Sequence, residues 1–293
     1  MPVEKTTNIL VTGAGGQLGR SLQKIAAAYP EYRLVFTRRT ETDIADGQAV
    51  ERALRESSAR ALINCAAYTA VDRAETEADQ ARRANALGPA VLAAAALRHD
   101  IPLVHISTDY VFSGRGNRPL TEDDAPDPES VYGRTKLEGE QAVRRCGCRA
   151  AVVRTGWLYS EFGRNFVKTM LQAARQGREL SVVDDQTGGP TYAEDLARAI
   201  LELIKRGIGD FSLYHYADQG AVSWYDFARA IFDLSGVRPA ALRPIRTEEY
   251  AAAAPRPRYS VLDKTKIKSL GIETPLWRDS LARCIETLKH TEL

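Results

Sequence analysis

The sequence predicts an α/β fold in which a doubly wound parallel sheet carries helices on both of its faces. In the first half of the 293 residues, short apolar runs alternate with segments of helical periodicity. That alternation is typical of parallel strands joined by crossover helices. A glycine cluster directly follows the first run and opens the first helical segment. The second half is less regular and predicts a smaller C-terminal α/β substrate lobe.

The elements of the first half follow from the two hydrophobic periodicities. Residues 8–12 form an apolar run with strand character, and Leu18, Leu22 and Ile25 then recur on one helix face. Further runs and helical segments alternate up to residue 155. The predicted strands are 8–12, 33–37, 61–66, 102–108 and 150–155, and the predicted helices are 17–28, 47–56, 76–99 and 130–145.

The elements of the second half are fewer and are joined by longer loops. Ser223 is a good N-cap for a helix that continues through Leu234, and an amphipathic helix at 278–288 closes the chain. A loop is expected at 251–258, where two prolines fall close together. The other predicted helices are 165–176 and 193–205, and the predicted strands are 180–183 and 213–217.

The first turn has the spacing Gly-x-x-Gly-x-x-Gly, through Gly13, Gly16 and Gly19. Glycines let a backbone turn tightly against a pyrophosphate, and a helix N-terminus favours negative charge. An ordinary tight turn is the alternative interpretation, but the position between strand and helix favours a Rossmann-like dinucleotide site. The residues expected to contact the dinucleotide at this turn are Gly13, Gly15, Gly16, Gln17, Leu18 and Gly19.

The division of the chain follows from that site. We expect residues 1–160 to form a dinucleotide-binding domain, to which the chain returns around 190–220. Residues 161–293 are then expected to form mainly the substrate lobe. No Gly/Ser-rich linker separates the halves, which predicts a broad interface between them.

The end of the second strand indicates which dinucleotide is used. A carboxylate there would bind a ribose 2′-hydroxyl, but Arg38 and Arg39 follow the strand instead. Arginine suits a 2′-phosphate, so the sequence predicts NADPH, with NADH as an alternative donor. An exposed basic turn is the competing interpretation. Asp43 and Ile44 are expected to border the adenine.

The third strand is followed by Ala66 and Ala67, which are small enough to let the chain lie against the cofactor. Ordinary packing of a helix on the sheet would also explain small residues there. Because the carboxyl ends of parallel strands meet at one edge of the sheet, this segment should lie beside the glycine turn.

A catalytic set is predicted at the same edge. Thr108 ends an apolar strand, and Tyr132 and Lys136 follow four residues apart on a predicted helix. Such a spacing places both on one helix face, where the cation can lower the pKa of the phenol. Tyr132 would then protonate a carbonyl oxygen oriented by Thr108, and Lys136 would also bind the nicotinamide ribose. Taken alone, such a pair is more typical of an exposed helix; the glycine turn, the threonine at the strand end and the strand–helix alternation favour the catalytic interpretation.

The bulk properties exclude several classes of protein. Forty basic residues nearly balance 38 acidic ones, which disfavours a nucleic-acid surface or a polybasic membrane patch. No apolar run reaches the roughly 20 residues of a transmembrane helix, and the first seven residues lack a signal-peptide core. A cytoplasmic location is therefore expected, with four reduced cysteines.

The chain resembles the extended short-chain dehydrogenase/reductases, and within them the dTDP-4-dehydrorhamnose reductases. The resemblance covers nearly the whole length. It is most specific at three runs, Ser107 to Phe112, Asp185 to Thr191, and Trp224 to Phe227. Further matches are Val11 to Gly13 with Gly16 to Gly19, Asn64 to Asp72, Tyr132 to Lys136, Arg154 to Trp157, and Asn165 with Phe166.

The resemblance implies reduction of the 4-keto group of dTDP-4-dehydro-L-rhamnose to dTDP-L-rhamnose, the last step in making a rhamnose donor for bacterial polysaccharides. It implies that Thr108, Tyr132 and Lys136 are catalytic. The residues that it implies for the substrate are Thr69, Val71, Asp109 and Trp157 around the sugar, with Asn165 and Arg256 at the nucleotide half.

One feature departs from the family pattern. Some members dimerise around a magnesium ion held by glutamates, one of them in the first helix. Arg20 and Ser21 occupy that region here, although Glu194 is available near another ligand position. We therefore expect no bound metal, and a monomer or weak homodimer.

Two other functions remain open from the sequence. A nucleotide-sugar epimerase or dehydratase could have the same fold, and dehydratases usually place an acid beside the threonine, as Asp109 does here. A non-catalytic regulatory subunit, similar to that of methionine adenosyltransferase, could retain the cofactor site. Net consumption of NADPH would distinguish the reductase from both.

Overall fold

A six-stranded parallel sheet lies at the centre of the protein. The computed structural model describes residues 6–292. The strand order is β2-β1-β3-β4-β5-β10, and every neighbouring pair is parallel. The strands are β1 (Thr7–Thr12), β2 (Tyr32–Thr37), β3 (Ala61–Asn64), β4 (Leu103–Thr108), β5 (Ala150–Thr155) and β10 (Ser212–His215).

Helices cover both faces of this sheet, which is why its central strands are apolar on both sides. On one face, α1 (Gln17–Ile25) and α8 (Ala193–Lys205) bury Leu22 and Ile200 against β1 and β3. On the other face lie α2 (Gly47–Ser57), α5 (Gly88–Arg98) and α6 (Val131–Cys146), which bury side chains such as Leu92. The predicted doubly wound parallel sheet is confirmed.

The order of the strands reverses between β1 and β3. From β1 the chain crosses to β2 on one side of the sheet and then returns to β3 on the other. Ligands of open α/β sheets bind outside the carboxyl ends of the strands at such a reversal. The glycine turn, the segment after β3 and Thr108 all lie at this edge.

The helix predicted at 76–99 is interrupted. The segment consists of α4 (Ala78–Arg82), a π-helical turn (Arg83–Leu87) and α5, preceded by the short α3 (Val71–Ala74). Pro89 lacks the N–H that would bond the carbonyl of Asn85 in a regular α-helix. The wider turn places the Asn85 side chain against the backbone of Tyr68, with bonds of 2.8 Å to its N–H and 3.0 Å to its carbonyl.

The rest of the chain forms smaller sheets and helices around an aromatic core that contains Tyr159, Phe227 and Trp224. The helices are α7 (Phe166–Arg175), α9 (Trp224–Ser235), α10 (Thr265–Ser269) and α11 (Trp277–Glu292). β7 (Glu179–Val183) pairs with β12 (Ala241–Ile245), β6 (Leu158–Tyr159) with β9 (Thr191–Tyr192), and β8 (Thr187–Gly188) with β11 (Val222–Ser223).

No helix within residues 6–292 is both long enough and apolar enough to cross a bilayer.

Candidate active site

Thr108, Tyr132 and Lys136 line one cavity of about 500 Å³ at the carboxyl edge of the sheet. Thr108 is the last residue of β4, whereas Tyr132 and Lys136 lie one turn apart on α6. A cavity of this size is in the range that encloses a small organic ligand. The three residues that the sequence predicts to be catalytic are therefore brought together.

The start of α6 is fixed by local contacts. Ser130 caps the helix by accepting a hydrogen bond of 3.0 Å from the Gly133 N–H. A Cβ at Gly133 would lie 2.1 Å from the carbonyl oxygen of Tyr110, so only glycine allows this approach. The ring of Tyr132 then packs edge-on against Tyr110, with centroids 5.5 Å apart. These contacts hold Tyr132 beside the end of β4.

The Thr108 hydroxyl is the centre of the polar contacts in the cavity. It donates to Asp109 Oδ1 at 3.0 Å and accepts the Tyr110 N–H at 3.2 Å. It also shares a hydrogen bond with the Tyr132 phenol. Thr108 thus connects a buried carboxyl group to the proposed proton donor.

The prediction that Lys136 lowers the pKa of Tyr132 is wrong for the structure described here. Burial, the largest cause, and the Asp109 charge together raise the pKa of Tyr132 to about 12, against a lowering by the Thr108 hydrogen bond. Burial also lowers the pKa of Lys136 to about 8, and its ammonium donates to the carbonyl of Ile106 at 2.6 Å. Desolvation outweighs the helix spacing on which the prediction was based.

A buried ion pair lies behind Lys136 and was missed by the sequence reasoning. Glu140 lies one turn further along α6 and forms an ion pair of 2.7 Å with Arg154. It also accepts a hydrogen bond from the Ser107 hydroxyl. The side chains of Glu140 and Arg154 are almost fully buried. The Glu140 charge raises the pKa of Lys136 and so opposes the effect of burial. The signal in the sequence was the i, i+4 spacing of Lys136 and Glu140.

A second cavity, of about 520 Å³, shares Gly15, Gly16 and Ala67 with the first. It extends from the glycine turn to the end of β2. The two cavities adjoin at these shared residues across the reversal of strand order, where an extended dinucleotide would lie. The other predicted cofactor residues that line the second cavity are Gly13, Arg38, Arg39, Asp43, Ile44 and Ala66.

The glycine turn has the form of a pyrophosphate cradle. Gly13 has a φ of +72°, and a Cβ there would lie 2.5 Å from the backbone nitrogen of Ala66. Gly16, the N-cap of α1, leaves the first turn of that helix without a side-chain cap. Its N–H groups therefore have no competitor from a capping side chain, and a phosphate fits beside them.

Gly19 and Gln17 also make contacts within the protein. A Cβ at Gly19 would lie 2.5 Å from the Gly13 carbonyl oxygen, so this glycine lets α1 pack against the turn. Gln17 and Leu18 line the catalytic cavity. The Gln17 amide also bonds the Leu158 carbonyl at 3.2 Å and accepts the Asn165 amide at 2.9 Å.

The carboxylate at the predicted adenine border already has partners. Asp43 accepts the Ala45 N–H at 3.0 Å and forms an ion pair of 2.9 Å with Arg83. These contacts lower its pKa, chiefly through the Ala45 hydrogen bond. Asp43 is therefore ionised at neutral pH.

Five of the six predicted substrate residues line the catalytic cavity, namely Thr69, Val71, Asp109, Trp157 and Asn165. The Trp157 indole stacks on Trp224 with centroids 3.4 Å apart, which fixes its plane. The Asn165 side chain is used within the protein, where it caps α7 and bonds Gln17.

Arg256 is not among the residues lining that cavity. Its guanidinium instead forms a two-pronged pair with Asp72, at 2.8 and 3.0 Å. The pair joins the loop that contains Arg256 to α3, next to Val71.

Glu194, near the family's metal position, is neutralised by cations of this chain. Lys24 of α1 lies 2.8 Å from Glu194 and 2.6 Å from Glu161, and Arg198 lies 2.8 Å from Glu194. Within residues 6–292, no three histidine, cysteine or acidic side chains are grouped so as to hold a metal ion.

Comparison with known proteins agrees with this geometry. Residues 7–290 match the family model described as the RmlD substrate binding domain. The chain belongs to this family. A dTDP-4-dehydrorhamnose reductase of Aggregatibacter actinomycetemcomitans is 40% identical over 283 residues, which cover 93% of this chain and 96% of that protein.

Two solved structures of the family are close to this fold. One, from Clostridium acetobutylicum, is a dTDP-4-dehydrorhamnose reductase with 43% identity and a TM-score of 0.90, covering 97% of this chain and all of that one. The other, from Bacillus anthracis, is a dTDP-4-dehydrorhamnose reductase in complex with NADP, with 37% identity, a TM-score of 0.92 and the same coverage. The RmlD family assignment confirms the resemblance on which the functional expectation was based.

Proposed function

We propose that this protein reduces the 4-keto group of dTDP-4-dehydro-L-rhamnose to give dTDP-L-rhamnose, with NADPH as the donor. The observation that supports this most directly is that Gly15 and Gly16 of the glycine turn line the same cavity as Thr108, Tyr132 and Lys136. The names of the family members above support the choice of substrate.

The cofactor supplies the hydride, since no side chain can. Tyr132 supplies the proton to the carbonyl oxygen. Its pKa of about 12 keeps the phenol protonated in the resting site, so the proton is present when charge develops on the oxygen. Thr108 orients the carbonyl beside the phenol. Lys136 lies one turn from Tyr132 in the same cavity, where it would bind the nicotinamide ribose, and the Glu140 charge favours its ammonium form.

The choice of NADPH rests on the end of β2. Arg38 and Arg39 are exposed and line the second cavity, where a 2′-phosphate would lie beside two guanidinium groups. Gly13 supports binding of a dinucleotide there because its Cβ-free backbone lies against Ala66.

The division of labour between the two halves is also part of the proposal. Residues 1–160 would bind the dinucleotide, with a return of the chain at 190–220, and residues 161–293 would mainly hold the sugar nucleotide. β10 and α8 support the return, because they join the central sheet and one of its faces. We further propose a cytoplasmic monomer or weak homodimer without a structural metal, since Lys24 already neutralises Glu161 and Glu194.

The test is an assay of purified protein with dTDP-4-dehydrorhamnose. We expect stoichiometric loss of NADPH absorbance and a product that is identified as dTDP-L-rhamnose by NMR. kcat/KM for NADPH is expected to exceed that for NADH by about tenfold or more, the scale of one charge-assisted contact. A tenfold preference for NADH would contradict the cofactor assignment, and turnover without net NADPH loss would favour an epimerase or dehydratase.

A further inference from the structure

Asp109 is a buried carboxyl group in the wall of the catalytic cavity, directly beside Thr108. Only 2% of the surface of Asp109 is exposed to solvent. Oδ1 accepts the Thr108 hydroxyl at 3.0 Å, whereas Oδ2 has no partner with hydrogen-bond geometry among the described residues, although the Ser260 hydroxyl is near enough to lower the pKa of the carboxyl group. The backbone of Gly156 lies against the carboxyl group, so closely that a Cβ there would be 2.6 Å from Oδ2.

The protons around Thr108 can be counted. A threonine hydroxyl has one proton to donate. The Tyr110 N–H already donates to its oxygen, and the Tyr132 phenol, which also hydrogen-bonds Thr108, donates to the carbonyl oxygen instead once the substrate is bound. An ionised Asp109 can only accept, so it takes the hydroxyl proton, and Thr108 then has none to offer a substrate carbonyl. A neutral Asp109 can donate to Thr108 instead, which frees the hydroxyl proton to point into the cavity.

The surroundings of Asp109 shift it toward the neutral form, which predominates below about pH 6. Burial raises its pKa to about 6, against lowering by hydrogen bonds from Ser260, Thr108 and the backbone N–H groups of Asp109 and Tyr110. The titratable groups that respond to its charge are Tyr110 and, from α6, Tyr132, and neither is a cation. A bound diphosphate and dinucleotide would add negative charge, which disfavours the ionised carboxylate further.

We propose that Asp109 is a positioning residue that acts as a neutral acid: its carboxyl O–H donates to Thr108 Oγ1 and so directs the single hydroxyl proton of Thr108 to the carbonyl oxygen of the substrate. This inference rests on the proposed keto-sugar reduction. No proton is consumed at Asp109, since the carboxyl group keeps its proton throughout the reaction. The Asp109 carboxyl group thereby orients the Thr108 hydroxyl proton toward the oxygen on which negative charge develops in the transition state.

The decisive experiment is the pH profile of kcat/KM for the wild type and for Asp109→Asn. With NADPH saturating, kcat/KM of the wild type is expected to fall by about tenfold per pH unit above the pKa that Asp109 has before the sugar nucleotide binds, which is about 6. The asparagine amide can also donate to Thr108, but it does not titrate. Asp109→Asn is therefore expected to be less active than the wild type at pH 5.5 and more active at pH 8. The alkaline limb of its pH profile should move to the pKa of Lys136, which is about 8.

Asp109→Leu provides the matched control, since it has a similar size and offers no hydrogen bond. It is expected to lose kcat at every pH by about 10- to 1000-fold, the scale of one oxyanion donor. The proposal is overturned if Asp109→Asn keeps the wild-type limb, or if it is as inactive as Asp109→Leu across the range while its circular dichroism remains native.

A measurement on the wild type alone covers the case in which the variants do not fold. Carbon-13 NMR of aspartate-labelled protein should show a carboxyl group that titrates near or above pH 6 and shifts when dTDP-L-rhamnose binds. An aspartate that responds to the product but is ionised down to about pH 4 contradicts the neutral acid. Absence of keto-sugar reduction by the wild type would instead contradict the proposed function and leave this titration interpretable.

Discussion

At the scale of single residues, burial decides the protonation states in the site. Tyr132 and Lys136 are both buried, and both pKa values move toward the uncharged form, to about 12 and about 8. Tyr132 therefore enters the reaction as a phenol. This is the form that a reductase needs, because the carbonyl oxygen must receive a proton as the hydride arrives.

Tyr132→Phe tests that role. The variant removes the proton donor but keeps the ring that packs on Tyr110. We expect kcat to fall by about 10²- to 10⁴-fold, the usual contribution of a general acid. The dissociation constant for NADPH, measured by fluorescence titration, should change little.

Tyr214→Phe is the control for loss of a phenol, because Tyr214 lies on β10 and is not among the residues lining the catalytic cavity. Near-normal turnover of Tyr132→Phe would show that another group supplies the proton.

At the scale of elements, the π-helical turn has a structural purpose. It points the Asn85 side chain at both backbone groups of Tyr68, and the same amide donates to Thr135 of α6 at 3.2 Å. The segment after β3, which lines both cavities, is thereby attached to the catalytic helix. An unbroken helix across 76–99 would not place Asn85 in this way.

Asn85→Ala is expected to raise KM for NADPH several-fold, because the segment around Ala67 and Tyr68 loses its attachment. Leaving the partly buried backbone groups of Tyr68 without a partner should also lower the free energy of unfolding by about 1 kcal/mol, the low end of the range for an unsatisfied group. Urea unfolding and steady-state kinetics measure the two effects.

Asn8→Ala removes a comparable amide bond, of 2.7 Å to the Ser57 carbonyl, at the opposite end of β1. It should lower stability without changing KM. An equal effect of both variants on KM would show that Asn85 contributes only general stability.

At the scale of the whole molecule, one lysine joins the two halves of the chain. Lys24 of α1 lies between Glu161, which follows β6, and Glu194 of α8. Burial lowers the Lys24 pKa, but the bonds to the two glutamates outweigh burial and raise it overall. Burial similarly raises the pKa of Glu194, while Lys24 and Arg198 outweigh it and lower the pKa.

These shifts determine how stability depends on pH. A lowered carboxyl pKa contributes stability that is present above the unfolded value of about 4.3 and is lost as pH falls through the folded value. Lys24→Met should therefore reduce the melting temperature strongly at pH 7.5 and only weakly near pH 4.

Arg198→Met, which leaves Lys24 in place, should have a smaller effect than Lys24→Met at pH 7.5. Since Lys24 supplies the positive charge, we also expect EDTA to leave the melting temperature and the oligomeric state unchanged. Equal losses at both pH values would mean that Lys24 acts through packing alone.

Much of the fold was accessible from the sequence because burial on both faces of a parallel sheet leaves continuous apolar runs. β1, β2, β4 and β5 were predicted to within one residue at each end. The two-residue strands β6, β8, β9 and β11 carry no periodic signal, since they are too short to repeat. The π-helical turn depends on Pro89 and Asn85 together. The alanines around it have a regular helical pattern, which predicted one continuous helix across 76–99.

The candidate site shows the same limit. The positions of Thr108, Tyr132 and Lys136 could be predicted from spacing and strand ends, and the structure brings them together. Their pKa values could not be predicted from the sequence, because desolvation depends on how much surrounding protein excludes water from each side chain. The partners of Gln17, Asn165 and Arg256 depend on contacts across more than 140 residues, which no local pattern records.

The Gln17 bridge has a kinetic consequence. Its side chain begins at the turn where the dinucleotide would lie, and it ends on Leu158 and Asn165, which form part of the opposite wall. Occupation of the glycine turn would therefore steady the surface against which the second ligand rests. We therefore expect an ordered addition, with dinucleotide first and sugar nucleotide second, which product-inhibition kinetics would reveal.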